Sequence, residues 1–218
     1  MIHLERLPEP EILITKKEKW QAAFEKKKAE KPGIRPPSKQ YGHEKIRQSL
    51  ASMSNKKCFY CEQPLLETEA QVDHYLEVAD HPELAFAWHN LYLACGQCNK
   101  RKLTNKVIPA DECIDPCNPE HDPAKHLGFN GEQVIVLKGS DRGRKTIRKY
   151  SLDRDDLEIL RMRWLQQFTR ILLHVKDRQI NEKRSGLTDS ERTMLTAFKD
   201  PSRPYSLMMS WYLSEHGL

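Results

Sequence analysis

The cysteines carry the first chemical signal in the sequence. Four of the six form two C-x-x-C pairs, Cys58 with Cys61 and Cys95 with Cys98. A two-residue gap lets both thiolates of a pair reach one ion, and two pairs complete a tetrahedron around Zn²⁺. A redox-active C-x-x-C could explain one pair but does not explain two. The pattern therefore predicts a structural zinc ion held by these four cysteines.

The segment between the two pairs is longer than the roughly 15–20 residues of the commonest zinc ribbon. Asp73 and His74 are adjacent within it, Asn90 precedes the second pair, and Asn99 follows that pair directly. Neighbours on a strand point to opposite faces, so Asp73 and His74 can share a site only where a strand ends or bends. A lone Asp-His pair is more simply explained as two surface residues of a hairpin. The two asparagines nearby favour a catalytic site instead.

Basic residues surround this segment. Lys100, Arg101 and Lys102 follow the second cysteine pair, and residues 138–149 hold six cations against one Asp. Residues 1–40 hold ten Lys and Arg against six Glu, and the chain of 218 residues has a formal net charge of +5. Each run taken alone is an ordinary solvated face. Together they favour a phosphate-rich partner, with Lys100, Arg101 and Lys102 as nucleic-acid-binding candidates.

The remaining two cysteines, Cys113 and Cys117, are followed by His121 and His126. A second zinc site could be drawn from these four residues. Such short gaps between ligand pairs fit a stable tetrahedron poorly. We therefore expect a structural loop with free thiols.

The expected compartment is the cytoplasm. No window approaches the ~20 apolar residues that a membrane helix needs. Residues 1–20 carry acids and prolines where a secretory signal has its apolar core. The cytosol keeps thiols reduced, which suits cysteines that bind metal or lie buried.

Local patterns predict the elements that position these residues. Thr15 and Glu18 are spaced as a capping box that opens a helix over Lys19–Ala29. The proline-rich segment 31–39 predicts a linker. A second, short helix is expected over His43–Met53.

The cysteine region predicts two strands and a helix. Cys58–Val78 alternates loosely and carries turn signals, which favours two short strands in a hairpin. Asn90–Lys102 has a helical pattern at its end, so the predicted order is β-β-α. A further strand is expected downstream, over Glu132–Leu137.

The C-terminal part of the chain predicts helices. Apolar residues recur at spacings of three and four over Leu157–Val175, with Asp153 as the expected N-cap and Gly186 as the stop. A Thr-x-x-Glu pair at 188–191 is a second capping-box candidate. The last helix is expected over Leu207–Leu213.

Taken in order, the spaced residues form one composite motif. It reads Cys58-x₂-Cys61, Asp73-His74, Asn90, Cys95-x₂-Cys98-Asn99-x₂-Lys102. This motif resembles the HNH endonuclease superfamily, in the subset where Zn²⁺ clips the ends of the motif together. The resemblance implies a ββα-metal fold with a catalytic His on the first strand, an Asn in the connecting loop and a third polar residue, here Asn99, on the helix. An ordered composite is far more specific than any of its pieces.

The resemblance implies a role for each polar residue of the motif. His74 would be the general base that takes a proton from water. Asp73 and Asn99 would hold one catalytic Mg²⁺ or Mn²⁺. Asn90 would tie down the loop and orient His74, and the basic triplet would contact phosphate. The expected reaction is hydrolysis of a phosphodiester bond in DNA or RNA.

Flanking segments resemble a narrower family. An N-terminal PEP segment, the AWHNL block and the downstream DPCNP and HLGF stretches look like those of PtuB, the HNH nuclease subunit of Septu-type antiphage systems, including forms attached to retrons. The resemblance implies a bacterial defence effector with a PtuA-type ATPase as partner. In retron versions it also implies a reverse transcriptase with its multicopy single-stranded DNA.

The predicted fold class is α+β, with a zinc-clipped ββα-metal HNH core between N-terminal and C-terminal helices. The expected parts are a basic helical extension (1–54), the nuclease core (55–110), an irregular loop-and-strand segment (111–150) and a helical region (151–218). Two alternatives stay open: a catalytically inactive, zinc-dependent nucleic-acid-binding module, and a subunit that docks on an ATPase. The joint presence of Asp73, His74 and Asn99 counts against the first alternative.

Overall fold

The computed structural model describes residues 1–218 and shows eight helices and two small antiparallel sheets. The helices are α1 (Glu11–Glu30), α2 (Ser38–Tyr41), α3 (Glu44–Met53), α4 (Gly96–Arg101), α5 (Asp141–Tyr150), α6 (Asp155–Asn181), α7 (Asp189–Thr196) and α8 (Ser206–Glu215). The strands are β1 (Ala70–His74) with β2 (Leu91–Cys95), and β3 (Leu127–Asn130) with β4 (Gln133–Val136). None of the helices has both the length and the apolar composition to span a bilayer.

The β-β-α order is confirmed, but its second strand lies elsewhere. The segment Cys58–Val78 contains β1 alone, so the hairpin predicted inside it is wrong. The partner is β2, which begins after a long loop and places Leu91 opposite His74. Because β2 is buried along its whole length, apolar residues are favoured on both of its faces. It therefore lacks the alternation that marks a half-buried strand.

Helix α1 begins earlier than predicted. Thr15 lies inside the helix, where its hydroxyl donates to the Glu11 carbonyl (2.9 Å) instead of capping the end. Pro10 precedes the first turn with a fixed φ that suits a helix start, and Leu13 in that turn is buried. The predicted capping box is therefore wrong, because burial near Leu13 extends the helix. Helix α3 is confirmed, with His43 as its N-cap.

The segment 31–39 is not a free linker, contrary to the prediction. Ile34 packs on the core, and Pro36 is buried. The prolines break the helical pattern, as expected, but they also hold the segment against the body of the molecule.

The C-terminal helices are confirmed with shifted bounds. Helix α6 has Arg154, not Asp153, at its N-cap and ends at Asn181, ahead of the predicted stop. Thr188 and Glu191 form the predicted capping box of α7, with both reciprocal hydrogen bonds present. Helix α8 contains the whole of the predicted last helix.

Two downstream elements are absent from the sequence prediction. Helix α5 lies on the basic run 138–149, where charged residues mask the apolar period, although Thr146, Ile147 and Tyr150 are all buried. Strand β3 pairs with β4, which is the predicted strand at Glu132–Leu137.

One apolar core joins all parts of the chain. A single cluster of 41 buried residues extends from the N-terminal segment to α8. Within it, Tyr60 of the first cysteine loop stacks on Tyr150 of α5, with ring centroids 4.0 Å apart. The β-β-α unit therefore shares its interior with the flanking helices. The α+β fold class is confirmed, and the four-part division of the chain stays a prediction.

Candidate metal centre and active site

The four cysteines of the C-x-x-C pairs converge on one point. Their sulfur atoms all lie within 4.8 Å of one another, and all four residues are buried. The sulfurs of Cys61 and Cys95 are 3.9 Å apart, close to the roughly 3.8 Å edge of a tetrahedron with Zn–S bonds of about 2.3 Å. The donor set is soft, closed and of the right size, so it fits a structural Zn²⁺.

Local backbone geometry shapes each pair. In the first, the Cys58 N–H donates to the Gln63 carbonyl (2.9 Å), and Glu62 adopts a left-handed φ of 63° that turns the chain back. In the second, Cys95 ends β2 and its sulfur accepts from the Cys98 N–H at 3.3 Å, which caps α4. Each pair is thus held in shape by the backbone around it.

The surroundings of the cluster shift the thiol pKa values in different directions and place one cation beside it. Hydrogen bonds from the neighbouring thiols lower the pKa of Cys95, whereas burial raises the pKa of Cys58. Four thiolates around Zn²⁺ carry a net charge of −2, and the Arg154 guanidinium lies 3.5 Å from the Cys98 sulfur. This buried arginine at the start of α6 offsets part of that charge.

Asp73 is the second-last residue of β1 and is 8% exposed. Two donors reach its Oδ2 atom: the Tyr60 hydroxyl at 2.6 Å and the Lys102 ammonium at 2.9 Å. Burial raises the pKa of Tyr60 well above its ordinary value, which keeps this hydroxyl a donor. No group of the chain donates to Oδ1, so this oxygen is free to bind a cation.

His74 ends β1, where strand alternation no longer separates it from Asp73. Its Nε2 atom lies 2.9 Å from the Ala85 carbonyl oxygen. A carbonyl only accepts, so Nε2 carries the proton and Nδ1 keeps a free lone pair. The Tyr41 ring packs edge-on against the imidazole, with centroids 4.6 Å apart. Burial lowers the pKa of His74 and so favours the neutral ring.

Asn90 lies in the loop between β1 and β2 and is 1% exposed. Its Oδ1 accepts from the Leu76 N–H (2.7 Å), and its Nδ2 donates to the carbonyls of Leu76 (3.0 Å) and Leu84 (3.3 Å). Leu84 precedes Ala85, whose carbonyl binds His74. Asn90 therefore fixes both the exit from β1 and the turn that holds the imidazole.

A cleft of about 700 Å³ brings four of the predicted residues together. Asp73, His74, Asn99 and Lys102 line it, whereas Asn90 does not. Asn99 in α4 donates from Nδ2 to the Gln71 side-chain oxygen (2.8 Å), and its own Oδ1 has no partner in the chain. The cleft thus offers two oxygens and one imidazole nitrogen without protein partners. Hard oxygen donors of this kind fit Mg²⁺ or Mn²⁺.

The basic triplet after the second cysteine pair lies in three different environments. The Lys102 side chain is 6% exposed, and besides Asp73 its ammonium binds two backbone carbonyls at the end of β1. Arg101 is exposed and lies 4.0 Å from Asp156. Lys100 is exposed, makes no ion pair and lines a second cavity. The nucleic-acid role of the triplet stays a prediction, and Lys102 also holds Asp73 in place.

Cys113 and Cys117 lie outside the cysteine cluster. Burial raises the pKa of both thiols to about 11. Asp115 accepts a hydrogen bond from the Cys117 N–H (2.8 Å), and the Asp115 N–H donates to the His121 ring at 3.2 Å. These bonds shape the loop between the thiols, and the loop forms no second group of metal ligands.

Three residues near the site have no signal in the sequence patterns. Tyr60 occupies one of the two free positions of the first C-x-x-C, where spacing alone assigns no function. Arg35 and Tyr41 lie in and just after the segment predicted to be a linker, yet both line the cleft. Their contribution depends on contacts between distant parts of the chain.

Comparison with known proteins points the same way as this geometry. Residues 58–104 match the HNH endonuclease family. The chain is 26% identical over 228 residues to the Septu protein PtuB of Bacillus mycoides (strain KBAB4), an alignment that covers 82% of this chain and 77% of that protein. It is 33% identical over 153 residues to the Septu protein PtuB of Bacillus thuringiensis, covering 67% of this chain and 52% of that protein. The alignment thus spans about half the length of the second relative, and the predicted resemblance is confirmed.

Proposed function

We propose that this chain, with its HNH endonuclease domain and its likeness to PtuB, is a metal-dependent nuclease and the effector subunit of a bacterial Septu-type antiphage complex. The observation that carries the proposal is the single cleft lined by Asp73, His74 and Asn99. A binding module would need the cysteines and the basic residues but not this trio. The reaction is hydrolysis of a phosphodiester bond, which leaves a 5′-phosphate and a 3′-hydroxyl.

His74 takes the proton from the attacking water in this proposal. Because Nε2–H is engaged by the Ala85 carbonyl, Nδ1 is the atom that accepts. The lowered pKa of His74 keeps the ring neutral and ready to accept at neutral pH. Tyr41 and the loop fixed by Asn90 restrict the ring to one orientation.

Asp73 and Asn99 would hold one divalent ion, Mg²⁺ or Mn²⁺, since each has a side-chain oxygen without a partner in the chain. When bound, this ion supplies positive charge that stabilises the scissile phosphate and the leaving oxygen. Tyr60 and Lys102 occupy the other Asp73 oxygen and so fix the carboxylate's orientation. The zinc centre would add to the core that the β-β-α unit shares with the flanking helices, by joining the two ends of that unit.

A cleavage assay tests the proposal. The full chain, with its co-encoded neighbour proteins, is incubated with Mg²⁺ or Mn²⁺ and with plasmid DNA, single-stranded DNA or total RNA. His74→Ala should lower cutting by about 10²–10⁴-fold, the usual contribution of a general base. His89→Ala is the matched control, since His89 is exposed and does not line the cleft.

The opposite result would favour the alternatives. If the folded, zinc-loaded wild-type chain cut none of these substrates with its neighbours present, the proposal would fail. An inactive nucleic-acid-binding module or an ATPase-docking subunit would then be the better description.

The assembly and the substrate class are also part of the proposal. Its likeness to PtuB supports a PtuA-type ATPase as partner and action in the bacterial cytoplasm. DNA is the default substrate, with RNA, including tRNA, as the second choice. The proposal that a retron reverse transcriptase and its multicopy single-stranded DNA are partners rests on the sequence resemblance alone. Purification of a tagged chain from cells that encode its neighbours tests the partner, and recovery without an ATPase would contradict it.

A further inference from the structure

The proline-rich segment 31–41 forms part of the wall of the catalytic cleft. Ile34 packs on the core and Pro36 is buried, so the backbone is anchored on both sides of Arg35. A residue before proline is restricted to extended backbone, which further limits the freedom of Arg35. The segment therefore presents an exposed guanidinium from a fixed position.

Arg35 lines two cavities at once. The first is the catalytic cleft, and the second, of about 650 Å³, lies beside Cys95 and is also lined by Gln71 and Lys100. Asn99 is the only other residue that lines both. A polynucleotide must enter and leave a nuclease site, and two cavities that meet at Arg35 and Asn99 provide such a path.

Arg35 is the cationic side chain of the cleft that has no partner within the chain. Lys102 is bonded to the Asp73 carboxylate, and Lys28 donates to a backbone carbonyl at 3.2 Å. The acid Glu77 also lines the cleft, but it forms an ion pair with Lys149 at 3.5 Å. It is therefore not the partner of Arg35. Arg35 makes neither a hydrogen bond nor an ion pair. A planar guanidinium with five donors is well suited to bind a phosphate.

We infer that Arg35 binds a backbone phosphate of the substrate as the strand passes from the catalytic cleft, over Asn99, into the second cavity. Lys100 continues the phosphate contacts there. This inference rests on the proposed nuclease function and adds to it the path of the substrate. It also gives the proline-rich segment a function, which is to hold one phosphate ligand at the entrance to the cleft.

The test measures binding in a His74→Ala background, where the substrate stays intact. Fluorescence anisotropy of labelled single-stranded DNA, duplex DNA and RNA is followed over a salt series, with the full chain and its neighbours. Arg35→Ala should weaken binding on the order of tenfold. It should also reduce the slope of log K against log salt by about 0.7–0.9, the value of one phosphate contact. Arg35→Lys should keep the slope but not the whole affinity, because it keeps the charge and loses the fork.

Lys39→Ala is the matched control. It removes the same charge from α2, and Lys39 is exposed and lines neither cavity. The inference predicts an unchanged slope for this variant. An equal fall in slope for Lys39→Ala would show a general charge effect and overturn the inference.

Two further outcomes separate the inference from the function on which it rests. If the His74→Ala parent binds the probes and Arg35→Ala binds them with the same affinity and slope, the inference alone is wrong. If the parent binds none of the three probes, both the inference and the proposed function are overturned. Circular dichroism of each variant shows that the fold is retained.

Discussion

The two candidate metal sites are built in opposite ways. The cysteine cluster is closed, because four buried ligands of one kind fill every position of a tetrahedron. The cleft is open, because Asp73 and Asn99 each present one side-chain oxygen that has no partner in the chain. Under the proposed function, the ion that stabilises the fold and the ion that assists hydrolysis would be different ions.

The two sites are nonetheless neighbours along the chain. Tyr60 lies between Cys58 and Cys61 and donates to Asp73, and Asn99 directly follows Cys98. The closed site therefore sets the position of the open one. Changes on the closed side should disturb both, whereas changes confined to the open side should leave the fold and the zinc intact.

Loss of a zinc ligand should have the largest effect. Structural zinc contributes on the order of 10 kcal/mol, which equals or exceeds the stability of most domains. We expect Cys98→Ser to unfold the β-β-α unit, with loss of zinc on elemental analysis and loss of structure by circular dichroism. Cys117→Ser, at a half-buried thiol outside the cluster, should keep both. A folded Cys98→Ser protein with an unchanged Tm would show that the cluster is not a structural zinc site.

Removal of the carboxylate charge should disable the open site alone. Asp73→Asn keeps an acceptor for Tyr60 but offers a divalent ion no charge. We expect calorimetric Mn²⁺ binding to disappear and cleavage to fall roughly 10²–10³-fold, with zinc content unchanged. Asp80→Asn, at an exposed acid outside the cleft, is the control. Loss of zinc together with Mn²⁺ would mean that the two sites are not separate.

Glu62 tests how the first cysteine loop is supported. It accepts from the Met1 ammonium (2.8 Å) and lies 3.4 Å from the Lys57 ammonium. Burial opposes its ionisation, but these positive charges prevail and hold the pKa of Glu62 at about 2, below the ordinary 4.5. Its stabilising effect is therefore complete above pH 4.5 and is lost as the pH falls toward 2.

The measurable consequence is a pH-dependent cost of Glu62→Gln. In urea unfolding, the variant should be less stable by about 3 kcal/mol at neutral pH. The difference from the wild type should shrink as the pH drops through the acid range. Glu67→Gln, at an exposed acid of the same loop, should show no such trend. A cost that does not change with pH would assign the effect of Glu62 to packing and not to its charge.

The smallest effect is expected from the hydroxyl that joins the sites. Tyr60→Phe removes one of two hydrogen bonds to Asp73 and should cost about 1 kcal/mol, with a fall in cleavage of about tenfold or less. Tyr150→Phe is the matched control, because the buried Tyr150 hydroxyl has no hydrogen-bond partner. It should be neutral or slightly stabilising. If both variants cut as fast as the wild type, Tyr60 would not position the carboxylate.

The closed site could be predicted from the sequence because its information is local. Two C-x-x-C pairs specify a tetrahedron without any knowledge of the fold. The open site could be predicted only in part. Asp73, His74 and Asn99 follow from the ordered motif, but the donors around them do not. Tyr41 reaches His74, and Lys102 reaches Asp73, through contacts that no local spacing encodes.

The fold shows the same division. Capping at Thr188 and Glu191 was predictable because both partners lie within one turn. The same local spacing failed at Thr15 and Glu18, where burial of Leu13 extends the helix. The pairing of β1 with β2 was not, because a strand buried on both faces has no alternation, and its partner lies across a long loop. Helix α5 was not predicted, because the charged residues on its exposed side mask its apolar period. Its formation depends on the packing of residues on its buried side.

The position of Tyr60 between two cysteines of the cluster also determines how oxidation of these thiols would affect the cleft. The four thiols of the cluster are buried, so a disulfide between Cys58 and Cys61 could form only where the cluster opens to a two-electron oxidant. Such a bond would remove two of the four metal ligands and disturb the Tyr60 hydrogen bond to Asp73. Oxidation would then disturb the position of the Asp73 carboxylate and the cysteine cluster together.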